Sequence, residues 1–311
     1  MVDGKIMTTA ITKKVALIMG VANQRSIALS CMESFLQKGD WDVILTVQNE
    51  KARVKVQKII EQTKYNKNSS SNRNGKILGV EICDVSDQMS TEKFFRESLQ
   101  DTLHNCNDDD DDDNDNNSSN EHRNLQAVIH SLAFAPELKN PLIETTREAY
   151  LEAHEISAYS LIQVARESIP YLQHGNNGIE NSSSSSTSSS LTTLSYLGAG
   201  RAIPGYNVMG PAKASLESIV RGLALELGQH SDHPIRVNAV RAGPIPTVSS
   251  KGGITGFERM RQDVQIRAPL GNVTSSQVAA TVYHVAAEAC GMTGQTIEVD
   301  GGYSIVAGPS S

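Results

Sequence analysis

Three side chains late in the sequence, Tyr196, Tyr206 and Lys213, have the types and spacing for proton and oxyanion chemistry. Pro204 and Gly205 mark a turn, and the residues that follow read as a helix. Tyr206 and Lys213 are seven apart, two helical turns, so both are expected to project to one side. A phenol and an ammonium there offer a hydrogen-bond donor to a developing oxyanion, and a cation that lowers the phenol's pKa. Tyr196, ending the preceding strand, reaches the same space. An isolated Tyr/Lys pair is more often an interfacial tyrosine beside a surface lysine. Here the strand before the turn, the small residues around the pair and a turn far upstream favour chemistry.

That upstream turn is Gly20-Val21-Ala22-Asn23-Gln24-Arg25-Ser26-Ile27-Ala28, directly after an apolar run. Dinucleotide-binding turns usually carry three glycines so that the backbone can close on a pyrophosphate, and this one has only Gly20. Ser26 can cap the helix that follows while its hydroxyl and the free amides face an anion. The same residues also read as an ordinary N-cap. A second strand ends in Thr46-Val47-Gln48, where an acid selects NAD and an arginine accommodates NADP. Gln48 is neutral and suits the ribose hydroxyls of NADH, while Lys51 and Arg53 keep NADPH open. Asp84, after a third strand, can accept from an adenine amino group. His130-Ser131-Leu132-Ala133 ends a fourth.

The elements that must position these residues alternate. Strands are expected at 15–19, 42–48, 77–83, 125–130, 191–196, 235–240 and 296–299. The first is a continuous apolar run, as for a strand buried on both faces. Helical patterns lie near 26–38, 89–104, 144–172, 206–229 and 274–288; in the third, Ala158, Leu161, Ile162, Ala165 and Ile169 share a face. Seven strands in βα alternation imply an α/β, Rossmann-like, doubly wound parallel sheet with ligands at the carboxyl ends of its strands.

Composition excludes several classes. The net charge of −7 is local: residues 108–113 and Asp115 are seven aspartates, and without them the charges balance. No basic cluster with interleaved aromatics suits a nucleic acid, and no apolar run is long enough for a membrane helix. Cys31, Cys83, Cys106 and Cys290 are far apart and read as reduced thiols. His230 and His233 read as a solvated helix end, and no metal site is expected. Residues 66–75, 105–124 and 174–190 lack apolar side chains and read as mobile inserts in one domain spanning 13–308, after a flexible 1–12.

Outside those inserts the chain resembles a bacterial-type enoyl-acyl-carrier-protein reductase, a divergent short-chain dehydrogenase/reductase. The likeness is carried by the turn at 20–28, by 130–136, 156–160 and 196–215, by Arg236-Val-Asn-Ala239, by Ala242-Gly-Pro-Ile245 and by Val299-Asp-Gly-Gly302. An ordinary short-chain dehydrogenase has its Tyr four residues before the Lys and a Ser thirteen before that Tyr. Those positions hold Met209 and Tyr196, so the ketone-reducing arrangement is missing. Enoyl reductases use a Tyr seven before the Lys, here Tyr206.

The resemblance implies NADH-dependent reduction of the trans-2 double bond of acyl-carrier-protein-linked enoyl thioesters in fatty-acid biosynthesis, with NADPH open. It makes Tyr206 the donor to the thioester carbonyl, Lys213 the holder of the nicotinamide ribose, and Tyr196 and Ala135 neighbours of the acyl chain. Gly20, Ser26, Ile27, Gln48, Asp84, Val85 and Leu132 would contact cofactor, with Ile245, Pro246, Thr247, Val248 and Ser249. Region 247–260 is similar to a mobile lid, and Gly252, Gly253 and Gly256 suit one. Relatives usually carry a basic residue at Pro246 and a small one at Arg241. A homotetramer is carried over from the family. As written the chain reads as soluble and cytoplasmic. Its low-complexity inserts suggest a eukaryote, where the plastid stroma would be expected behind a trimmed or misassigned N-terminus. The rivals are a carbonyl-reducing short-chain dehydrogenase and a catalytically silent nucleotide-binding paralogue.

Overall fold

A computed structural model describes residues 13–62, 75–104, 123–174, 188–229 and 233–307. Seven parallel strands form one sheet: β1 (Lys13–Met19), β2 (Trp41–Val47), β3 (Ile77–Ile82), β4 (Arg123–His130), β5 (Ser190–Tyr196), β6 (Arg236–Ala242) and β7 (Thr296–Val299). Their order is β3-β2-β1-β4-β5-β6-β7, so the winding direction reverses between β1 and β4. This is the Rossmann-like α/β architecture expected from the alternating pattern.

Strand periodicity explains the layers. Ala16 and Ile18 of β1 pack into one hydrophobic cluster and Val15, Leu17 and Met19 into another. The first cluster takes α1 (Ile27–Leu36) and α10 (Ser275–Tyr283), where Phe35, Trp41 and Tyr283 meet edge to face. The second takes a helix built of α3 (Gln88–Lys93), a π turn at Phe94–Leu99 and α4 (Gln100–His104). On that face also lie a π turn at Glu155–Tyr159, which continues α5 (Arg147–His154), and the helices α6 (Ser160–His174) and α7 (Met209–Gly228).

The structure departs from sequence expectation in four places. A helix α2 (Glu50–Glu61) follows β2, and its stripe of Ala52, Val56, Ile59 and Ile60 packs on the first cluster. The presumed lid holds α8 (Val248–Gly253) and α9 (Phe257–Arg267). The acidic insert's expected end, Arg123 and Asn124, opens β4, and Arg123 donates to buried Asp42. The serine insert's end is core as well: Ser189 and Ser190 are fully buried, donating to the carbonyls of Leu172 and Ala286. Hydroxyls satisfied this way are tolerated inside. Residues 66–74, 105–122 and 175–187, with 1–12, Cys106, His230 and residue 308, lie outside the described residues. Among the described residues no helix is long and apolar enough to cross a membrane.

Candidate active site

Where the sheet reverses, β1 and β4 end in register, Met19 beside His130. A cavity of about 810 Å³ opens past these ends, at the position where ligands enter doubly wound sheets. Gly20 turns the chain there at φ +88°, and a Cβ on it would stand 2.2 Å from the Ser131 carbonyl oxygen. Only glycine lets the exits of β1 and β4 approach this closely. Ser26 occupies the N-cap position of α1, yet its hydroxyl donates to the Asn23 carbonyl at 2.7 Å and caps nothing. The expectation of a side-chain cap is thus corrected. The first amides of α1 are left for an anion at the helix's positive end.

At the far end of the cavity two expected contacts are tied together. Gln48 Nε2 donates to Asp84 Oδ2 at 3.3 Å, while Ser86 donates its amide and hydroxyl to Asp84 Oδ1. Arg53, expected with Lys51 to keep NADPH open, makes an exposed pair with Glu50 at 2.9 Å. Lys51 instead lines an adjoining groove with Arg25, Lys55 and Lys58.

The other end is delivered by β5 and the chain that follows. Tyr196 is the last residue of β5, and Tyr206 lies in the turn before α7, which starts only at Met209. The two full helical turns expected between Tyr206 and Lys213 are therefore incomplete. One loose turn, in which the Gly210 amide donates to the Tyr206 carbonyl, still brings both side chains to the cavity wall. Gly198 makes room for the phenol: a Cβ there would meet Tyr206 Cδ1 at 2.3 Å.

Lys213 is 4% exposed, and its ammonium donates to the carbonyls of Leu194 at 2.9 Å and Leu132 at 3.4 Å. Burial pushes its pKa down to about 8, with Glu217 pulling the other way. Beneath it lies His130, pushed down to about 3 by burial and by the Lys213 charge. The His130 ring nitrogens sit 2.9 Å from Thr193 Oγ1 and 2.9 Å from Ser160 Oγ. Tyr206 corrects an expectation: its pKa is raised, by burial first and then by Tyr196 and Glu217. Burial keeps the proton on the phenol, which can then serve as a donor, while the Lys213 bonds go to backbone carbonyls.

Nearly all the residues expected to touch ligand line this one cavity: Gly20, Ser26, Ile27, Gln48, Asp84, Val85, Leu132, Ala135, Ile245, Thr247, Val248 and Ser249, with the Tyr/Tyr/Lys set. Pro246 does not. The Thr247 amide donates to the Ile245 carbonyl at 2.8 Å, a three-residue turn that places Pro246 at its outer corner. Sequence reasoning missed the apolar wall made by Leu138, Ile156, Met209, Ile254 and Phe257. Ile254 and Phe257 fall in the presumed lid, where position in the chain was a signal but side-chain direction was not. Gly252 and Gly253 line the cavity, and Gly256 caps α9 at φ +73°. Tyr196 also ties β5 to α9, its hydroxyl 3.0 Å from Met260 Sδ. Among the described residues no three His, Cys, Asp or Glu gather as a metal site.

A parallel sheet with its cavity at the reversal point, an uncapped helix start and a Tyr/Lys pair define an oxidoreductase with a dinucleotide-type site. Comparison with known proteins narrows the class. A family model described as Enoyl-(Acyl carrier protein) reductase matches residues 80–304. The enoyl-acyl-carrier-protein reductase (NADH) of Bacillus cereus is 34% identical, over 94% of this chain and 97% of its own. The Staphylococcus aureus MRSA252 enzyme of that name, marked NADPH, is 33% identical over 94% and 97%. A crystal structure of the Bacillus cereus reductase with NADP+ and an indole naphthyridinone superposes with a TM-score of 0.75 at 32% identity, covering 96% of this chain and 99% of that one. The chain belongs to the enoyl-acyl-carrier-protein reductase family.

Proposed function

We propose that the protein reduces the trans-2 double bond of enoyl thioesters carried on acyl carrier protein, using NADH, in fatty-acid biosynthesis. The observation that carries this reading is the buried Tyr206 in one cavity with Lys213, while Met209 stands where a carbonyl reductase needs its phenol. The cavity's size, its bare Gly20 turn and the uncapped start of α1 fit a dinucleotide. Gly20, Ser26, Ile27 and Leu132 would hold its middle, Gln48, Asp84 and Val85 its adenosine, and Lys213 with Ile245 and Thr247 to Ser249 its nicotinamide half. The chemistry supplied by bound NADH is a hydride.

The protein's own residues do the rest. Tyr206 donates to the thioester carbonyl and stabilises the oxyanion that forms as the β-carbon is reduced. Lys213 holds the ribose and adds positive charge nearby. Tyr196 and Ala135 flank the acyl chain, and the apolar wall excludes water from it. Neutral Gln48 supports NADH over NADPH; Lys51, Arg53 and Arg25 are the cations an NADPH preference would use. We carry over from the family a homotetramer and a soluble compartment, cytoplasm or plastid stroma, and treat 13–308 as one reductase domain. The test is cofactor oxidation by purified protein with a short trans-2-enoyl thioester, NADH and NADPH in parallel. Turnover is expected with NADH; cofactor binding without turnover would favour a silent paralogue.

A further inference from the structure

Glu217 is a buried carboxylate that the reduction described above does not use. It lies one helical turn beyond Lys213 on α7 and is 7% exposed. Its Oε1 accepts from the Ser195 hydroxyl at 2.6 Å and from Arg241 Nε at 2.9 Å; its Oε2 is 2.5 Å from Arg241 Nη2. Arg241 reaches on to Glu298 of β7. The carboxylate therefore fastens α7 to β5 and β6 at Ser195. That residue lies between Leu194, whose carbonyl takes the Lys213 ammonium, and Tyr196. Charge-assisted, forked contacts of this kind fix geometry as well as adding energy.

We propose that Glu217, clamped by Arg241 and Ser195, is the positioning residue for Lys213. This rests on the reductase reading above. Facing the ammonium are neutral His130 of β4, Tyr196 of β5 with Asp300 and Tyr303 beyond it, and Tyr206 of the turn. On its own helix stands Glu217, the group that supports the positive charge, with Arg241 of β6 behind it. Removing the carboxylate leaves burial unopposed and Lys213 loses its proton at lower pH. Removing Arg241 takes a cation away and frees the carboxylate's pull, so Lys213 holds its proton to higher pH.

The test compares Glu217→Gln and Arg241→Ser with the unaltered protein. NADH affinity by fluorescence titration, and kcat and KM with a short enoyl thioester, are followed from neutral into alkaline pH, with melting curves as the check on folding. Glu217→Gln is expected to move the alkaline fall of NADH affinity and kcat to lower pH. It should also lower kcat roughly threefold or more, with KM little changed. Arg241→Ser is expected to move the fall to higher pH. Opposite shifts cannot come from loosening alone. Shifts in the same direction, or unchanged profiles with only a lower melting temperature, would overturn the proposal. If Glu217→Gln does not fold, Arg241→Ser decides by itself, an upward shift supporting and no shift overturning. The binding arm needs no turnover, so a failed reductase reading shows separately, as no product from the unaltered protein.

Discussion

The phenol rings of Tyr196 and Tyr206 stand 4.7 Å apart and tilted by 59°, one closing β5 and the other in the turn before α7. Burial chiefly pushes both phenols up; Tyr196 and Glu217 add to the rise at Tyr206, and Tyr303 and Asp300 to that at Tyr196. Two neutral donors therefore face the same cavity. Tyr206 belongs to the buried cluster with Met209 and Ala212, and Tyr196 packs against that cluster with its hydroxyl on Met260.

If Tyr206 is the donor to the oxyanion, Tyr206→Phe removes that bond and little else. Turnover should fall roughly ten- to a thousandfold, the scale of one lost oxyanion donor, with NADH affinity within about twofold. Steady-state kinetics paired with NADH titration measure both, and full activity in the variant would remove the assigned role.

Gly198 holds the space the Tyr206 ring occupies, so Gly198→Ala must displace the ring or the turn. The expected cost is about 1–3 kcal/mol of stability, typical of overpacking, together with a drop in kcat. Denaturant unfolding and kinetics on one preparation test this. A variant with wild-type kcat would show that the ring can move without loss.

Lys213 titrates near 8, below the 10.5 of a free lysine. Its ammonium is the donor form, so NADH affinity should be constant below that pH and weaken as pH rises through it. Lys213→Met should bind weakly at all pH values with a flat profile. The sign for stability is opposite. The folded state binds fewer protons than the unfolded chain between 8 and 10.5, so this residue's burial cost is relieved as pH rises across that window.

His130 provides an acid-side counterpart. The unfolded chain protonates it near 6.5 and the folded protein only near 3. Its contribution is full above 6.5 and is lost as pH falls toward 3. His130→Gln should start less stable, with the ring's contacts to Ser160 and Thr193 lost, yet lose less on acidification. Melting temperatures across acidic pH would show the two curves converging; parallel curves would contradict it.

Much of this was legible in the chain because the sheet is buried on both sides. Val15 to Met19 read as a strand since every position meets a hydrophobic layer. The Tyr206 to Lys213 spacing pointed to the right side chains, although the helix connecting them starts late. What stayed hidden depends on contacts distant in sequence. Arg241 stands 24 residues from Glu217, and no pattern announces their pairing. The rise in the Tyr206 pKa stayed hidden because it comes from burial and from Tyr196 and Glu217 close by, surroundings only the folded sheet supplies. The serines at 188–190 read as a solvated tract because composition does not reveal that Leu172, Ala286 and Arg236 await them.

The most direct test of the central claim follows a label. Purified protein is incubated with a short trans-2-enoyl thioester and NADH carrying deuterium at the transferred position, and the product is examined by mass spectrometry and NMR. A saturated acyl thioester with one deuterium on its β-carbon is the predicted product. Unchanged enoyl thioester in the presence of bound NADH, or deuterium delivered only to simple ketones to give alcohols, would contradict it.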